Sequence, residues 1–568
     1  MEKVLYESRP GFHVSAALYL PDRPGKYPGI LFPCGHSENG KAAEAYQRAC
    51  ILLAKNDMVV LCFDPIGQGE RKQVLDQAGK SAYRATAEHS MVGIGATLLG
   101  RNTASAMVWD GIRSLDYLCS RPEVDPKKIG CTGNSGGGTQ TSYLMALDDR
   151  IIAAAPGCYL TTFRRLLETI GPQDAEQNIH GQVRQGLDHA DYAILHAPQP
   201  TLMCVATRDF FDIGGAWQTF RQAKRVYGRL GYPERMELVE TDATHGFSRD
   251  LRVGATRWMR RWLLGKDDAV TEPDFPIFTD EQLQCTPDGQ VLRLPGEKTI
   301  LEFHREEGRR LAAGRLLGTP AELAATVRMR AGIGDPKALA PPSVQDVGSV
   351  GRDGRTVQKL VFSAEEGIRL PALQWEPEGM RTGTVLYLHG EGKGQAAGAA
   401  GELNEHLRAG LRVVAVDLRG LGELQARSQQ GQPAGTSDRD VTLSYLLGRS
   451  LVGQRAEDIL RVARWAREAT GAGAGPRGLQ LVASGEAAIP ALHAAAAAPD
   501  WFAAVRIRHC LRSWQDVLET SAPTRVRSGV VFGALRSYDL PDLVTALRRA
   551  SRPIQFLEPV NGEGKPIL

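Results

Sequence analysis

The sequence has no uninterrupted run of 18 or more apolar residues, so it predicts no membrane-spanning helix. It also has no large excess of charge of one sign, since 68 Lys and Arg residues face 65 Asp and Glu residues. Proteins that bind nucleic acids or anionic membranes usually carry a basic surface. We therefore expect neither a nucleic acid nor a membrane among its partners.

The nine cysteines form no CxxC pair and no Cys/His cluster with the spacing of a zinc site, so no structural metal is expected. Cys34, Cys62, Cys131 and Cys204 lie in or beside apolar runs, as buried thiols do. Such a pattern is typical of a reducing compartment. The first 14 residues lack the apolar stretch of a signal peptide. The chain as printed is expected to be cytoplasmic, and a secreted or periplasmic location stays open if a signal peptide has been removed.

Length and pattern together predict several domains of the α/β class. A chain of 568 residues exceeds the roughly 250–300 residues at which single cores stop growing. Over residues 1–265, continuous apolar runs alternate with helix-length segments, as in a mostly parallel sheet that helices cover on both faces. The predicted strands are 11–21, 28–35, 58–64, 128–134, 151–157, 201–209 and 236–242, and the clearest helical segments are 41–55, 103–119 and 216–230.

Residues 266–355 are rich in Pro, Gly and charge, and we interpret them as a linker region with one helical piece around 304–331. From 356 to 568 the landmarks of the first domain return in the same order, which indicates an internal duplication. The matching pairs are GFHVSAALYLP (11–21) with GIRLPALQWEP (367–377), PGILFPCGH (28–36) with TGTVLYLHG (382–390), MVVLCFDPIGQGE (58–70) with RVVAVDLRGLGE (412–423), LLGR (98–101) with LLGR (446–449), and GNSGGG (133–138) with ASGEAA (483–488).

The stretch GNSGG at 133–137 fits the pattern G-x-S-x-G, in which a serine sits on a sharp turn between a strand and a helix. The strand-like KKIGCTG precedes it and the helical GGTQTSYLMAL follows it, as this motif requires. A hydroxyl is a weak nucleophile at neutral pH and needs a base and an acid that orients the base. Ser135 is therefore the predicted nucleophile.

The acid and the base should follow later strands, in the order Ser, Asp, His. His245 comes just after the last predicted strand of the first domain, next to a glycine, and is the predicted base. Two carboxylates are candidates for the acid. Asp209 stands directly at a strand end and is favoured, whereas Asp212 lies three residues further on and suits the N-cap of the next helix. For the oxyanion hole we predict the backbone N–H groups of Gly136 and His36.

With these residues in place, residues 1–265 resemble the α/β-hydrolase superfamily, in its acetylxylan-esterase-like and dienelactone-hydrolase-like branch. The resembling stretches are PCGHSENGK, FDPIGQGER, SLDYLCSRPEVDPKKIGCTGNSGGG, GLDHADYAILHAPQPTL and ATRDFF. The resemblance implies serine hydrolysis through an acyl-enzyme, with carbohydrate esters as substrates and with Ser135, Asp209 and His245 as the triad. No metal and no organic cofactor is implied.

The segment 158–200 lies where such folds insert a cap over the site. Tyr159, Glu176 and Gln177 are its candidates for binding sugar hydroxyl groups, and a merely solvated helical surface is an equal alternative. In the second copy, Gly485 stands where Ser135 stands in the first, and no histidine follows the last strand. We therefore predict that 356–568 is a degenerate, non-catalytic hydrolase-like domain.

The predicted function is a serine esterase that cleaves acetyl, related acyl or methyl esters on carbohydrate derived from plant polysaccharide. Its expected partner is a small-molecule or oligosaccharide ester, and a homo-oligomer is left open. One alternative is a peptidase or amidase of the prolyl-oligopeptidase kind, although the blade-length repeats of a β-propeller are missing from the sequence. Another is a carbohydrate-binding protein with a vestigial second domain.

Overall fold

The computed structural model describes residues 1–352, 354–398, 400–427, 436–468, 477–520, 523 and 526–567. The chain forms two compact units, the first built from Met1–Gly93 and Asn102–Phe303 and the second from Ile94–Arg101 and His304–Leu568. The domain boundaries that the sequence predicts, at 265 and 356, stay predictions. In the structure, residues 266–303 belong to the first unit and residues 304–352 to the second.

The first unit has one sheet of eight strands among its described residues. Along the chain these are β1 (Glu2–Arg9), β2 (Phe12–Tyr19), β3 (Tyr27–Pro33), β4 (Val59–Phe63), β5 (Val124–Asn134), β6 (Ile151–Gly157), β7 (Thr201–Arg208) and β8 (Met236–Thr244). Their order across the sheet is β1-β2-β4-β3-β5-β6-β7-β8. The strands from β4 to β8 are parallel, while β2 is antiparallel to both of its neighbours.

Several of the predicted strands are continuous apolar runs because helices cover both faces of the sheet; every residue of β4, for example, is buried. The sequence does not predict β1, whose residues EKVLYESR mix exposed charges with buried positions at the sheet edge. The helices of the described residues are α1 (Glu44–Ala54), α2 (Ala85–Leu98), α3 (Thr103–Ser120), α4 (Gly136–Leu147), α5 (Phe163–Thr169), α6 (His189–His196), α7 (Ile213–Arg229), α8 (Arg249–Met259), α9 (Asp280–Leu283), α10 (Ile300–Gly314), α11 (Pro320–Ala331), α12 (Gly394–Gly398), α13 (Ala400–Arg408), α14 (Asp438–Leu446), α15 (Leu451–Glu468), α16 (Ala488–Ala497), α17 (Trp514–Glu519) and α18 (Leu540–Arg549).

The second unit also has a sheet of eight strands within its described residues. They are β9 (Ser343–Arg352), β10 (Arg355–Glu365), β11 (Ile368–Trp375), β12 (Gly383–His389), β13 (Leu411–Val416), β14 (Leu479–Ser484), β15 (Ala504–Arg508) and β16 (Ile554–Leu557). Their order is β9-β10-β11-β13-β12-β14-β15-β16. Without the exposed edge strand β9, this order repeats that of the first seven strands of the first unit. The fold is thus two tandem α/β-hydrolase-like domains with mostly parallel sheets.

Each unit also contains a buried Lys–Asp ion pair of the same kind. In the first, Lys41 donates to Asp64 from its backbone N–H, at 2.7 Å, and from Nζ, at 2.7 Å. In the second, Lys393 donates to Asp417 in the same two ways, at 2.5 and 2.8 Å. A repeated pair of this kind supports the predicted duplication. Among the described residues, no helix combines the length and apolar character needed to cross a membrane.

Candidate active site

Ser135 sits on the sharp turn that the motif predicts, between the end of β5 and the start of α4. Its backbone has φ 59° and ψ −121°, a conformation that costs a non-glycine residue about 1–3 kcal/mol. The backbone N–H of Ser135 donates to the carbonyl of Gly157 at 2.8 Å, which fixes the turn against β6. The side chain is thereby presented at the carboxyl end of the parallel strands.

The glycines after Ser135 are required by the close approach of α4 to the sheet. A Cβ on Gly137 would lie 2.2 Å from the carbonyl oxygen of Pro33, and a Cβ on Gly138 would lie 2.2 Å from that of Gly157. Real Cβ atoms do not come so near to a backbone oxygen. The run of glycines therefore lets the helix begin directly beneath the strand ends.

His245 and Asp209 are brought together beyond the ends of β8 and β7. The Nδ1 of His245 lies 2.8 and 3.0 Å from the two carboxylate oxygens of Asp209, whose side chain is only 2% exposed. Because a carboxylate only accepts, Nδ1–H donates and Nε2 is left as the basic nitrogen. The Phe210 ring stacks on the imidazole with centroids 4.1 Å apart, which limits the ring's orientation.

Asp212 is placed differently from Asp209. It is the N-cap residue of α7 and accepts the backbone N–H of Gly215 at 2.7 Å. The Arg165 guanidinium also donates to both of its oxygens, at 3.0 and 2.8 Å. These hydrogen bonds from Arg165 lower the pKa of Asp212 despite some burial. The two carboxylates thus have separate partners, and the one that contacts His245 is Asp209.

Within the described part of the chain, no hydrogen bond joins Ser135 to His245. The structure therefore shows the orienting acid bound to the base, and the nucleophile candidate on its turn. The catalytic roles of the three residues stay predictions. In catalytic sites of this type, the contact between nucleophile and base is often loose without substrate.

On the other side of Ser135, the loop after β3 carries His36. Its ring atoms lie 3.1–3.3 Å from the point where a Cβ on Gly136 would stand, so the imidazole packs directly on that residue. Gln68 holds the start of the loop, since its side-chain amide donates to the carbonyl of Gly35 at 2.6 Å. The backbone N–H of Gly136 lies at the N-terminus of α4, where the helix dipole favours negative charge.

A buried network of two histidines and one carboxylate supports the His36 ring. Glu176 accepts from Nε2 of His36 at 2.7 Å and from Nδ1 of His89 at 3.0 Å. The other nitrogen of His89 donates to the carbonyl of Ile66 at 2.7 Å, so both of its nitrogens face acceptors. The network therefore joins the loop of His36 to His89 through the carboxyl group of Glu176.

The charges of this network shift each other's pKa values. Burial opposes ionisation of Glu176, but His89 and His36 together hold the pKa of its carboxyl well below its usual value. Burial alone would lower the pKa of His36, but Glu176 raises it above the usual value of 6.5. No sequence motif points to His89, because it is one histidine inside a helix and its partners lie far away in the chain.

The three predicted substrate-binding residues are almost completely buried. Tyr159 and Glu176 are each 1% exposed, and Gln177 is 4% exposed. Tyr159 packs against His189 with ring centroids 4.7 Å apart, and Glu176 is bound to the two histidines. The structure thus gives Tyr159 and Glu176 contacts inside the protein, and substrate binding by any of the three stays a prediction.

Among the residues that the structure describes, two groups of side chains have ligand atoms close enough to hold a metal ion, within 4.8 Å of one another. One group is His36, His89 and Glu176, which lie close together because Glu176 is hydrogen-bonded to both histidines. The other is Cys158, Asp209 and His245. Burial raises the pKa of the Cys158 thiol, which disfavours the thiolate form that binds metals.

Comparison with known proteins shows a similarity between part of the first unit and an esterase family. Residues 2–191 match the family described as Acetyl xylan esterase (AXE1). This match includes Ser135, His36 and Glu176 but ends before Asp209 and His245. It confirms the resemblance to α/β-hydrolase esterases that the sequence predicts.

Similar individual proteins cover only parts of the chain. "Putative hydrolase YtaP" of Bacillus subtilis (strain 168) is 27% identical over 175 residues, which are 29% of this chain and 56% of that protein. Among solved structures, "Methylesterase BT1017" is 23% identical with a TM-score of 0.40, covering 54% of this chain and 66% of that one. A carbohydrate esterase family 15 glucuronoyl esterase from Caldicellulosiruptor kristjansonii is 16% identical with a TM-score of 0.33, and the match covers 49% of this chain and 84% of that one. The chain spans little more than half the length of the curated relative.

Proposed function

We propose that the first unit is a serine carboxylic ester hydrolase that cleaves acyl or methyl esters on carbohydrate derived from plant polysaccharide. The observation that carries the proposal is the hydrogen bond between the buried carboxylate of Asp209 and His245, at the same sheet edge as Ser135 on its strained turn. The match of residues 2–191 to the acetyl xylan esterase family supports both the type of bond cleaved, an ester, and the class of substrate, a carbohydrate.

In the proposed mechanism, the Oγ of Ser135 attacks the ester carbonyl while Nε2 of His245 takes its proton. Asp209 keeps Nδ1 of the ring protonated and stabilises the imidazolium that forms. The backbone N–H groups of Gly136 and His36 are proposed to bind the oxyanion. The imidazolium protonates the leaving alcohol, and a water molecule, deprotonated by His245, then releases the acid from the serine ester.

The test is hydrolysis of p-nitrophenyl acetate, acetylated xylan and methyl-esterified pectin by the wild type and by Ser135→Ala. We expect the variant to lose kcat by roughly 10⁴–10⁶-fold, because the nucleophile itself is removed. Ser142→Ala is the matched control, since Ser142 lies in the same helix and its hydroxyl only contacts the carbonyl of Gly138. Equal activity of Ser135→Ala and the wild type would disprove the proposal.

A further inference from the structure

The second unit brings together a serine, a histidine that is hydrogen-bonded to it, and a carboxylate within ion-pair distance of the histidine. The Ser484 hydroxyl lies 3.0 Å from Nδ1 of His509, and Nε2 of His509 lies 2.9 Å from the carboxylate of Glu558. Ser484 ends β14, and His509 and Glu558 directly follow β15 and β16. These three strands are parallel neighbours, so the three side chains meet at the carboxyl edge of the sheet.

When His509 is neutral, the carboxylate oxygen of Glu558 at 2.9 Å from Nε2 favours the tautomer that has its proton on that nitrogen, because a carboxylate has no proton of its own. The lone pair of Nδ1 then accepts the hydroxyl proton of Ser484. A serine, a base that accepts its proton and an acid that orients the base form the arrangement that activates a hydroxyl nucleophile.

The backbone supports a special role for the base and the acid. His509 has φ 48° and Glu558 has φ 49°, in the left-handed region that non-glycine residues rarely adopt. Such residues cost of order 1–3 kcal/mol each and persist where the surrounding structure holds them; they cluster at functional sites. Here the two strained residues are neighbours, with Nε2 of His509 at 2.9 Å from the carboxylate of Glu558.

A fourth polar residue lies beside the serine. His389 is the Cα partner of Ser484 in the pairing of β12 with β14. Its Nδ1 accepts the backbone N–H of Glu391 at 3.0 Å, so the proton is on Nε2. Burial lowers the pKa of His389, as does the charge of His509, while Glu391 opposes them. A neutral histidine with its proton on Nε2 is a suitable donor to a developing oxyanion.

This constellation is not a remnant of the triad proposed for the first unit. The strand registers match Ser484 with Asn134, because Ser484 pairs with Arg508 as Asn134 pairs with Gly157. His509 then matches Cys158. The prediction of a non-catalytic second domain rests on Gly485 and on the lack of a histidine after the last strand, whereas this histidine precedes the last strand.

We propose that Ser484, His509 and Glu558 form a second serine-nucleophile site that takes small carboxylic esters with a good leaving group. The side chains of His509 and Glu558 are 53% and 64% exposed, whereas Ser484 is only 8% exposed, so the serine suits small activated aryl esters. The Oγ of Ser484 bonds to the carbonyl carbon and its proton passes to Nδ1 of His509. The C–O bond to the phenol breaks, the phenol takes that proton, and water hydrolyses the acyl-serine.

The experiment uses the full chain carrying Ser135→Ala, so that the first site is silent, and a fluorophosphonate probe followed by peptide mapping. Attack by Ser484 forms a P–O bond and expels fluoride. We expect one label per chain, on Ser484, and none when Ser484→Ala is added. Ser551→Ala is the matched control, an exposed serine of the same unit that also has positive φ, 55°; it should leave labelling unchanged.

A second variant shows whether the histidine acts as a base. Asn tolerates left-handed backbone, so His509→Asn keeps the local conformation, and we expect labelling to slow by about 10²-fold or more. Glu558→Gln should slow it only about 3–10-fold, because an exposed ion pair is weak. A Ser484 that stays unlabelled, or labelling at the same rate in His509→Asn, would overturn the proposal. Neither outcome affects Ser135, whose labelling is measured separately in the wild type.

Discussion

At the scale of single residues, the two turns after β5 and β14 share a backbone conformation but not a side chain. Ser135 has φ 59° and its counterpart Gly485 has φ 65°. Glycine adopts positive φ readily, whereas serine pays a conformational cost there. A strained serine is expected where the hydroxyl is needed, and a glycine where the turn is needed without that hydroxyl. The contrast supports a chemical role for Ser135 and a structural one for Gly485.

The two carboxylates after β7 provide a test at this scale. We expect Asp209→Asn to lower kcat for p-nitrophenyl acetate by about 10⁴-fold, because the amide no longer holds His245 in the reactive tautomer. Asp212→Asn should leave kcat within a few-fold of the wild type. It should lower the free energy of unfolding by about 1 kcal/mol, because the Arg165 pair is weakened while asparagine still caps α7.

The readouts are steady-state kinetics and denaturant unfolding of both variants. An Asp212→Asn variant of normal stability that loses more kcat than Asp209→Asn would assign the acid to Asp212 instead. A thermal melt of each variant separates a catalytic loss from a general loss of structure.

At the scale of elements, the loop after β3 depends on segments that are distant in the chain. His36 comes from that loop, His89 from α2 and Glu176 from the segment between α5 and α6. The motif PCGHSENGK indicates the loop in the sequence, and substrate binding by Glu176 stays a prediction. In the structure Glu176 binds both histidines and thereby supports the loop.

The pair of His36 and Glu176 makes stability depend on pH. The pKa of His36 is raised in the folded protein. The stability that its charge contributes is therefore complete below its pKa of 6.5 in the unfolded chain and is lost as the pH rises through its pKa in the folded protein. The pKa of Glu176 is lowered, so the stability that its charge contributes is lost only in acid. Between pH 6 and 9, we expect the unfolding free energy of the wild type to fall relative to that of Glu176→Gln.

The measurement is the unfolding free energy of both proteins at several pH values, and the difference between them is the quantity of interest. Glu168→Gln is the control, because Glu168 is an exposed carboxylate of the same region that pairs only with exposed arginines. A difference between wild type and Glu176→Gln that is constant from pH 6 to 9 would show that His36 does not titrate against Glu176.

At the scale of the whole molecule, residues beyond 265 complete the first unit. Glu70, which binds Lys41 at 2.6 Å, also accepts the backbone N–H groups of Cys285 and Thr286, each at 2.8 Å, and the Thr286 hydroxyl at 2.6 Å. Glu272 likewise pairs with the buried Arg252, at 2.8 Å from Nε. The segment that composition indicates to be a linker thus satisfies buried charges.

We therefore expect the fragment 1–303 to be more stable than the fragment 1–265. Removing 266–303 takes away the hydrogen bonds that Cys285 and Thr286 donate to Glu70 and the carboxylate partner of Arg252, which should cost about 3 kcal/mol or more. For a unit of this size, the Tm of 1–265 should be lower by about 6–12 °C. Thermal unfolding of the two fragments under one set of conditions measures the difference. Equal Tm values would show that 266–303 is dispensable for the first unit.

The sequence by itself determined the α/β class, the two tandem domains, the turn around Ser135 and the order of Ser135, Asp209 and His245, because strands, glycine turns and motif spacing are local properties of the chain. Only the tertiary structure decided which carboxylate contacts His245, that Glu176 joins two buried histidines, and that Ser484, His509 and Glu558 meet in the second unit. Those contacts join residues separated by tens of positions or more, and their distances depend on the packing and register of strands that no local pattern encodes.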